Sequence, residues 1–329
     1  MCKKFMSFDK STKIYVAGHT GLVGSAIHRK LLQYGYKEII TQPHGKLDLT
    51  SYKEVEKFIY SEKPNVVFLA AAKVGGIGPN NDYPADFLMN NLAIQYNVIT
   101  ASQKANVNRL FFMGSSCIYP KNCPQPIKEE YLLTSELEKT NQSYAIAKIA
   151  GAEMCRAFNH QFNTRYLAVM PTNLYGPNDS YNLETSHVLP ALIRKIHEAK
   201  IKNMKSVEIW GTGTPKREFL HSDDLASALL HLMELDDKKF IELTNNESMP
   251  LINIGTGQDI SILDLAYLLK DIINFDGDFI FDDTKPDGTF RKQLDVEKIK
   301  AYGWSSDINF KDGIKQTYDD FLNHFYSKD

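Results

Sequence analysis

Short apolar runs alternate with longer segments of helical periodicity along the first half of the chain. The apolar runs predict strands that are buried on both faces of a sheet. These predicted strands are 13–17, 38–40, 65–70, 109–113 and 166–170. The segments between them repeat apolar residues at helical spacing, and the predicted helices are 22–34, 52–60, 86–105 and 144–161. This alternation predicts an α/β fold with a doubly wound parallel sheet.

The pattern loosens after Met170, because prolines and glycines interrupt it and separate short strands. We therefore expect two domains. Residues 1–175 are expected to form the parallel sheet, and residues 176–329 mainly a smaller α/β lobe. A further helical pattern indicates that the chain returns to the first domain near 219–255.

Charge and hydropathy exclude several classes of partner. The 329-residue chain has 38 Lys and Arg against 40 Asp and Glu, a net charge of −2, so no nucleic-acid or anionic-membrane partner is expected. The longest apolar run, 66–72, is far shorter than the ~20 residues that span a bilayer. The first ten residues are polar and lack the apolar stretch of a secretory signal.

Cysteine usage indicates a reduced compartment. The four cysteines, Cys2, Cys117, Cys123 and Cys155, are scattered and form no CxxC pair. Neither a disulfide framework nor a zinc site is predicted from this spacing. We expect a cytoplasmic protein without a metal.

A glycine-rich turn follows the first predicted strand and opens the first predicted helix. Its glycines are Gly18, Gly21 and Gly24, in the spacing GxxGxxG. Glycines allow a tight turn and let backbone N–H groups approach a pyrophosphate at the N-terminus of the helix. The turn predicts a dinucleotide site, with a purely structural turn as the alternative.

The residues after the second predicted strand bear on which dinucleotide binds. An acidic residue at this point usually accepts the ribose hydroxyls of NAD, and this chain has none at Thr41. His44 and Lys46 follow and could contact a 2′-phosphate, so NADP is favoured. Asp48 is expected to meet the adenine or to cap the next helix.

A tyrosine and a lysine lie four residues apart in the predicted helix 144–161. Tyr144 and Lys148 therefore share one face of it. A lysine cation together with an oxidised nicotinamide ring is expected to lower the pKa of the phenol from its usual ~10. Ser115 follows the strand 109–113, at the sheet edge where this fold class presents its ligands, and can hydrogen-bond a substrate oxygen beside Tyr144. A chance pairing in a helix is the alternative.

Several motifs narrow these features to one family. They are the segments 70–77, 113–120, 171–177, 186–190, 210–219 and 285–289. With the glycine-rich turn and the Tyr144/Lys148 pair, these segments resemble the extended short-chain dehydrogenase/reductases. The resemblance runs from about residue 13 to beyond residue 304 and implies a Rossmann fold. It further implies NADPH-dependent 3,5-epimerisation and 4-reduction of GDP-4-keto-6-deoxy-D-mannose.

The resemblance assigns catalytic roles residue by residue. Ser115, Tyr144 and Lys148 match the family's reductase residues, with Tyr144 as proton donor to the C4 oxygen. Cys117 and His187 match the base and acid that invert C3 and C5. Without the resemblance, Cys117 would be interpreted as a core thiol and His187 as a surface residue. Cys2, Cys123 and Cys155 match no role and are expected to be structural.

The resemblance also implies two sets of binding residues. The cofactor contacts are Gly18, His19, Thr20, Gly21, Leu22, Val23, Gly24, Met113, Gly114, Ser115, Ser116, Lys148, Pro171, Thr172, Asn173, Leu174 and His187. The nucleotide-sugar contacts are Lys195, Trp210, Arg217 and Asp287. The two cations can neutralise a diphosphate, Trp210 offers an apolar face and Asp287 an acceptor for hydroxyls or a base edge. Solvated charges and core packing of the tryptophan are the alternatives.

Some alternatives stay open at this point. Family members often carry arginine where this chain has Thr20 and Thr41, so NADH is a possible second cofactor. The substrate could instead be a related GDP-4-keto sugar such as a GDP-4-keto-heptose, reduced at C4 without epimerisation. A 4,6-dehydratase is disfavoured because Ser116 and Cys117 stand where those relatives have an Asp-Glu pair. Retention of the reductase residues disfavours a non-catalytic sensor, and a homodimer through the helices after Asp86 and Tyr144 is expected.

Overall fold

A central sheet of six parallel strands organises the first part of the molecule. The computed structural model describes residues 8–245, 248–284 and 287–328. The strand order is β2-β1-β3-β4-β5-β9. The strands are β1 Ile14–Ala17, β2 Ile39–Ile40, β3 Val66–Leu69, β4 Arg109–Met113, β5 Tyr166–Pro171 and β9 Leu251–Ile254. The predicted doubly wound parallel sheet is therefore confirmed.

Helices cover both faces of this sheet, which explains why its longer strands read as continuous apolar runs. On one face α1 (Leu22–Gln33) packs against α7 (Ser222–Glu234). On the other, α4 (Pro84–Lys104) lies between α2 (Tyr52–Glu62) and α5 (Gln142–Phe162). Every residue of β1, β3, β4, β5 and β9 is buried. The strand order reverses between β1 and β3, and in this fold class ligands bind beyond the carboxyl ends of the strands at that point.

The second part of the molecule has its own hydrophobic core and two small sheets. In one sheet β8 (Lys216–His221) pairs with β6 (Asn173–Tyr175), β10 (Asp259–Ser261) and β12 (Arg291–Lys292). The other sheet pairs β7 Ser206–Trp210 with β11 Asp278–Asp282. Around them lie α6 Val188–Ile201, α9 Ile262–Ile273 and α11 Phe310–Asp320, with the short helices α3 Ile77–Asp82, α8 Asp237–Leu243 and α10 Glu297–Ala301 elsewhere in the chain.

Register within the second part brings two cations side by side. Strand β12 is parallel to β8, and Lys292 stands opposite Arg217. These residues are 75 positions apart in the sequence, so no local pattern predicts the pairing.

Predicted and observed elements differ mainly at their ends. The helix predicted to begin near residue 86 begins at Pro84, because proline is well accommodated in the first helical turn. The helix predicted over 144–161 extends by two residues at its start and one at its end. Cys2 and the start of the segment 285–289 lie outside the described residues. Within those residues, no helix has the length and apolar character to cross a membrane.

Candidate active site

The glycine-rich turn packs tightly beneath the N-terminus of α1. A Cβ atom at Gly24 would lie 2.0 Å from the carbonyl oxygen of Gly18, and one at Gly18 would lie 2.7 Å from the backbone nitrogen of Ala71. Gly18 also has a φ of +84°, in the region that glycine adopts readily. No other residue type fits these two positions without displacing the turn or the segment that follows β3.

The same turn leaves an anion-binding helix terminus open. Gly21 precedes the first residue of α1, and no side chain caps the helix there. A Cβ at Gly21 would meet only the carbonyl oxygen of Gly18, at 3.7 Å. The buried Nδ1 atom of His19 has no hydrogen-bond partner among the described residues. Uncapped N–H groups and this unpaired nitrogen fit the pyrophosphate of a dinucleotide.

Asp48 has a local role. Its carboxylate accepts hydrogen bonds from the backbone N–H and the hydroxyl of Thr50, at 2.9 and 2.8 Å. These bonds hold the turn that leads into α2. Asp48 does not cap α2, whose N-cap residue is Ser51 without a side-chain cap, and its contact with the adenine stays a prediction.

Ser115 and Lys148 are fixed at the carboxyl end of β4. The Ser115 hydroxyl accepts the backbone N–H of Cys117 at 3.2 Å and lies close enough to Tyr144 to act on the pKa of its phenol. From α5, the buried ammonium of Lys148 donates to the carbonyl oxygen of Met113 at 2.7 Å. This ammonium also lies 5.7 Å from the centre of the Tyr144 ring. The predicted reductase residues therefore meet at one sheet edge.

Burial controls the protonation of the reductase residues. It raises the pKa of the Tyr144 phenol, and the nearby Cys117 raises it further, against a smaller opposite effect of Ser115. Burial also lowers the pKa of Lys148 to about 7. The expected lowering of the Tyr144 pKa requires an oxidised nicotinamide ring beside the lysine cation, so it stays a prediction; in the chain alone the shift of this pKa is upward. Tyr144 is therefore held in its protonated, donating form.

The pKa of Cys117 is shifted in the opposite direction from that of Tyr144, because hydrogen-bond donors contact its sulfur. The amide nitrogen of Asn141 lies 3.3 Å from its sulfur, and the ammonium of Lys292 lies 3.4 Å from it. Burial raises the pKa of the Cys117 thiol, but Lys292 and the hydrogen bonds from Ser115, Lys292 and Asn141 outweigh it, so the net shift is downward. An inert core thiol would lack these donors.

His187 directly precedes the first residue of α6 and lies within electrostatic reach of Lys292. It keeps contact with solvent, yet the surrounding protein and the Lys292 ammonium lower the pKa of its imidazole. The loop before it is tied to the segment after β3, because Gly76 donates its N–H to the carbonyl of Thr185 at 2.9 Å. Lys292 thus acts electrostatically on both predicted epimerisation residues.

The predicted nucleotide-sugar residues form two groups. The Lys195 ammonium lies 5.3 Å from the centre of the Trp210 ring, and Trp210 is 63% exposed, which excludes core packing. The half-buried Arg217 donates to the carbonyl of Asp287 at 3.4 Å. The Asp287 carboxylate accepts the N–H and hydroxyl of Thr212 at 2.7 and 2.9 Å. Asp287 therefore fixes the loop that contains Thr212 and also contacts Arg217.

The remaining predicted cofactor residues lie where β5 passes into β6. Pro171 ends β5, and Leu174 is the middle residue of β6. The side chains of Thr172 and Asn173 bond the carbonyl of Glu218 at 3.1 and 2.8 Å, so they anchor this segment to β8. Cys155 is buried in the core and Cys123 is half-buried, as expected of structural residues.

Two residues of the cleft were missed by sequence reasoning. Asn141 stands at the start of α5, where asparagine ordinarily predicts a helix cap, yet its side chain bonds Cys117. Lys292 lies in a two-residue strand with no motif of its own. Only the pairing of β12 with β8 brings it to the site. Among the described residues, no cluster of His, Cys, Asp and Glu has the composition to hold a metal ion.

Comparison with known proteins places this geometry in a family. The model of the NAD dependent epimerase/dehydratase family matches residues 14–244. GDP-L-fucose synthase 1 of Arabidopsis thaliana is 51% identical over 316 residues, 96% of this chain and 95% of that protein.

Two solved structures share the whole fold. A GDP-6-OMe-4-keto-L-xylo-heptose reductase from C. jejuni superimposes with a TM-score of 0.91 at 39% identity, covering 96% of this chain and 99% of the other. A GDP-L-fucose synthetase from Naegleria fowleri bound to NADP gives a TM-score of 0.87 at 26% identity, covering 98% of each chain.

The chain belongs to the NAD dependent epimerase/dehydratase family. Within that family it is similar over nearly its whole length to the GDP-L-fucose synthases. The resemblance inferred from the motifs is confirmed, and so is the prediction of an enzyme.

Proposed function

We propose that this protein catalyses the NADPH-dependent 3,5-epimerisation and 4-reduction of GDP-4-keto-6-deoxy-D-mannose to GDP-L-fucose. The proposal is carried by two neighbouring groups of one cleft whose pKa values are shifted in opposite directions by their surroundings. The pKa of Tyr144 is raised and that of Cys117 is lowered. Groups whose environments drive their pKa values apart are assigned as the acid and the base of a site.

Reduction uses the residues at the end of β4 and on α5. Tyr144 donates its phenolic proton to the C4 oxygen, and Ser115 hydrogen-bonds the same oxygen. NADPH, when bound, supplies the hydride that C4 receives. The uncapped start of α1 and the unpaired nitrogen of His19 support dinucleotide binding, and Lys148 is placed to contact the ribose.

Epimerisation uses Cys117 and His187. The C4 ketone acidifies the protons on C3 and C5, so a thiolate can remove each of them. His187 returns a proton on the opposite face. The enolate oxygen formed in between receives the hydrogen bonds of Ser115 and Tyr144, so one oxyanion site serves both reactions.

Substrate binding is assigned to the second part of the chain. Residues 1–175, with the return near 219–255, bind the cofactor, and residues 176–329 mainly bind the nucleotide sugar. Arg217 and Lys195 are cations suited to the diphosphate, and the exposed face of Trp210 offers an apolar surface. Because this chemistry needs Cys117 as a free thiol, we place the enzyme in the reducing cytoplasm.

We infer a homodimer through α4 and α5. These helices pack together and expose large apolar side chains: Met89 is 62% exposed, Tyr96 54% and Ile146 44%. Such a surface is typical of a contact between subunits. Light scattering of the purified protein is expected to give twice the chain mass, and Tyr96→Glu is expected to reduce it to one chain mass.

A GDP-4-keto-heptose is the second candidate substrate. It is favoured by the TM-score of 0.91 against a heptose reductase from C. jejuni. Such a substrate would be reduced at C4 by the same Ser115, Tyr144 and Lys148. In that case Cys117 and His187 would not be needed.

Product analysis in D₂O separates these functions. The protein is incubated with NADPH and GDP-4-keto-6-deoxy-D-mannose, and the product is examined by NMR. We expect GDP-L-fucose with deuterium at C3 and C5. A C4-reduced sugar without deuterium at these carbons would contradict epimerisation, and turnover of a GDP-4-keto-heptose alone would favour the second candidate. A parallel reaction with NADH measures cofactor preference.

A further inference from the structure

Lys292 is the residue of the cleft that the proposed chemistry leaves unexplained. Its side chain is half-buried, and its ammonium lies 3.4 Å from the Cys117 sulfur. Among the residues that the structure describes, it forms no ion pair with a carboxylate. Two nearby cations are neutralised, since Lys121 pairs with Glu138 at 2.7 Å and Arg291 pairs with Asp259. The charge of Lys292 is therefore available to Cys117.

The backbone around Lys292 is fixed from both sides. The carbonyl oxygen of Gln293 accepts the backbone N–H of Ile127 at 2.8 Å. The backbone N–H of Gln293 donates to the side-chain oxygen of Gln125 at 2.9 Å. Leu294 donates its N–H to the buried carboxylate of Glu218 at 2.7 Å. Because strand β12 is held in this way, little backbone freedom is lost when the ammonium meets the sulfur.

We propose that Lys292 is the positioning residue that keeps Cys117 as a thiolate, the form that accepts protons from the sugar ring. This rests on the proposed epimerisation. An ammonium in contact with sulfur favours the charged thiolate over the thiol, as at reactive cysteines generally. Lys292 does not touch the reacting carbon. It acts through Cys117.

The proton balance of each inversion follows from this pairing. The ring C–H bond breaks, its proton forms an S–H bond on Cys117, and its electron pair moves onto the C4 oxygen. His187 then gives a proton to the same carbon from the opposite face in its imidazolium form, which its lowered pKa makes the minor form, and the enolate electrons form the new C–H bond. One proton has passed from His187 to Cys117, and exchange with solvent restores both groups.

The other titratable groups near Cys117 come from several elements. Tyr144 lies near it on α5, and His187, at the start of α6, lies within electrostatic reach of Lys292. Cys123 and the Lys121–Glu138 pair lie on the segment after β4, and the Arg291–Asp259 pair lies beside β12. Of these charged groups, only Lys292 is in hydrogen-bond contact with the sulfur in the described chain.

The test is the pH dependence of Cys117 alkylation in the folded protein. Iodoacetamide reacts with the thiolate, and peptide mass spectrometry follows Cys117 with Cys123 as an internal reference. In the wild type we expect a midpoint below the usual ~8.5 for a cysteine. Lys292→Met is expected to raise the midpoint by about one pH unit or more, slowing alkylation ~10-fold at neutral pH. Lys292→Arg is expected to restore it.

Lys216→Met is the matched control, because Lys216 is an exposed lysine on the adjacent strand β8. It is expected to leave the profile unchanged. An unchanged profile in Lys292→Met, or a shift that Lys292→Arg fails to reverse, would overturn the proposal. Alkylation needs no sugar, so it is independent of the proposed function. The alkylation profile could shift in Lys292→Met although the wild-type protein exchanges no deuterium at C3 and C5. That result would contradict the proposed epimerisation and still support the pairing of Lys292 with Cys117.

Discussion

The reductase side and the epimerase side of the cleft are both enclosed by protein, yet the pKa of Tyr144 is raised and that of Cys117 is lowered. On the reductase side, Tyr144 and Lys148 stand on one helix over a buried sheet edge, and burial favours the neutral form of each. On the epimerase side, Cys117 is also surrounded by protein, but a cation and an amide donor contact its sulfur. For an acidic side chain, burial alone favours the protonated, donating form, whereas burial with a paired cation favours the deprotonated, accepting form.

The halves also differ in how far apart their residues lie in the chain. Ser115, Tyr144 and Lys148 fall within 34 residues and on adjacent elements of one sheet. Cys117, His187 and Lys292 span 176 residues and depend on the second part of the molecule. Changes near Lys292 that leave the nucleotide-sugar residues in place should therefore reduce epimerisation more than reduction, and the following changes test this separation.

Replacement of Tyr144 by phenylalanine should have the largest effect. It removes the only proton that this account delivers to the C4 oxygen, so NADPH consumption should slow by ~10³-fold. The rate is measured as loss of NADPH absorbance with saturating substrate. Tyr166→Phe is the control, because the buried Tyr166 hydroxyl has no described partner and lies outside the cleft. A Tyr144→Phe variant that reduces at near the wild-type rate would contradict the assignment.

Replacement of Cys117 by alanine should slow epimerisation by ~10²-fold or more and leave the rate of reduction unchanged. The expected product is a sugar reduced at C4 with hydrogen, not deuterium, at C3 and C5 after reaction in D₂O. Cys123→Ala is the matched control, since Cys123 is a half-buried cysteine six residues further along the chain to which we assign no catalytic role. Equal loss of both activities would mean that the halves are not separable.

Replacement of Glu218 by alanine tests the scaffold of the epimerase side. Its carboxylate accepts the N–H groups of Thr256, Gly257 and Leu294, at 2.6, 2.8 and 2.7 Å. Leaving these donors unpaired should lower the free energy of unfolding by about 3 kcal/mol, measured by urea denaturation.

The Glu218 variant should also lose more epimerisation than reduction, because Leu294 is two residues from Lys292. Glu242→Ala, at an exposed position, should change stability by less than ~0.5 kcal/mol. A Glu218→Ala protein that is as stable as the wild type would rule out this scaffold role.

The smallest expected effect concerns Lys148. Its pKa is lowered to about 7 in the folded protein, so between pH 7 and about 10 the unfolded chain binds a proton that the folded chain does not. Stability from this group therefore rises with pH in that window, by at most ~1.4 kcal/mol per pH unit. Urea denaturation at pH 7 and 9 should show this rise in the wild type and a smaller one in Lys148→Met. Equal slopes would indicate an ordinary lysine.

Sequence reasoning predicted the sheet and the reductase side because both rest on local patterns. The strand 109–113 was predicted with its observed ends, and the four-residue spacing of Tyr144 and Lys148 follows directly from helix geometry. Sequence reasoning could not predict that Lys292 reaches Cys117, because the register of a two-residue strand depends on long-range packing. Nor did it anticipate that the pKa of Tyr144 is raised in the chain alone, because burial of the phenol depends on tertiary packing.

The most direct test of the separation is deuterium exchange in the Tyr144→Phe variant. The variant is incubated with GDP-4-keto-6-deoxy-D-mannose in D₂O, and the sugar is followed by NMR together with NADPH absorbance. The account predicts deuterium at both C3 and C5, entering more slowly because the Tyr144 hydrogen bond to the enolate oxygen is lost, while NADPH consumption is slowed far more, since Cys117, His187 and Lys292 remain in place. Absence of exchange at both carbons, in a variant that is folded, would contradict it.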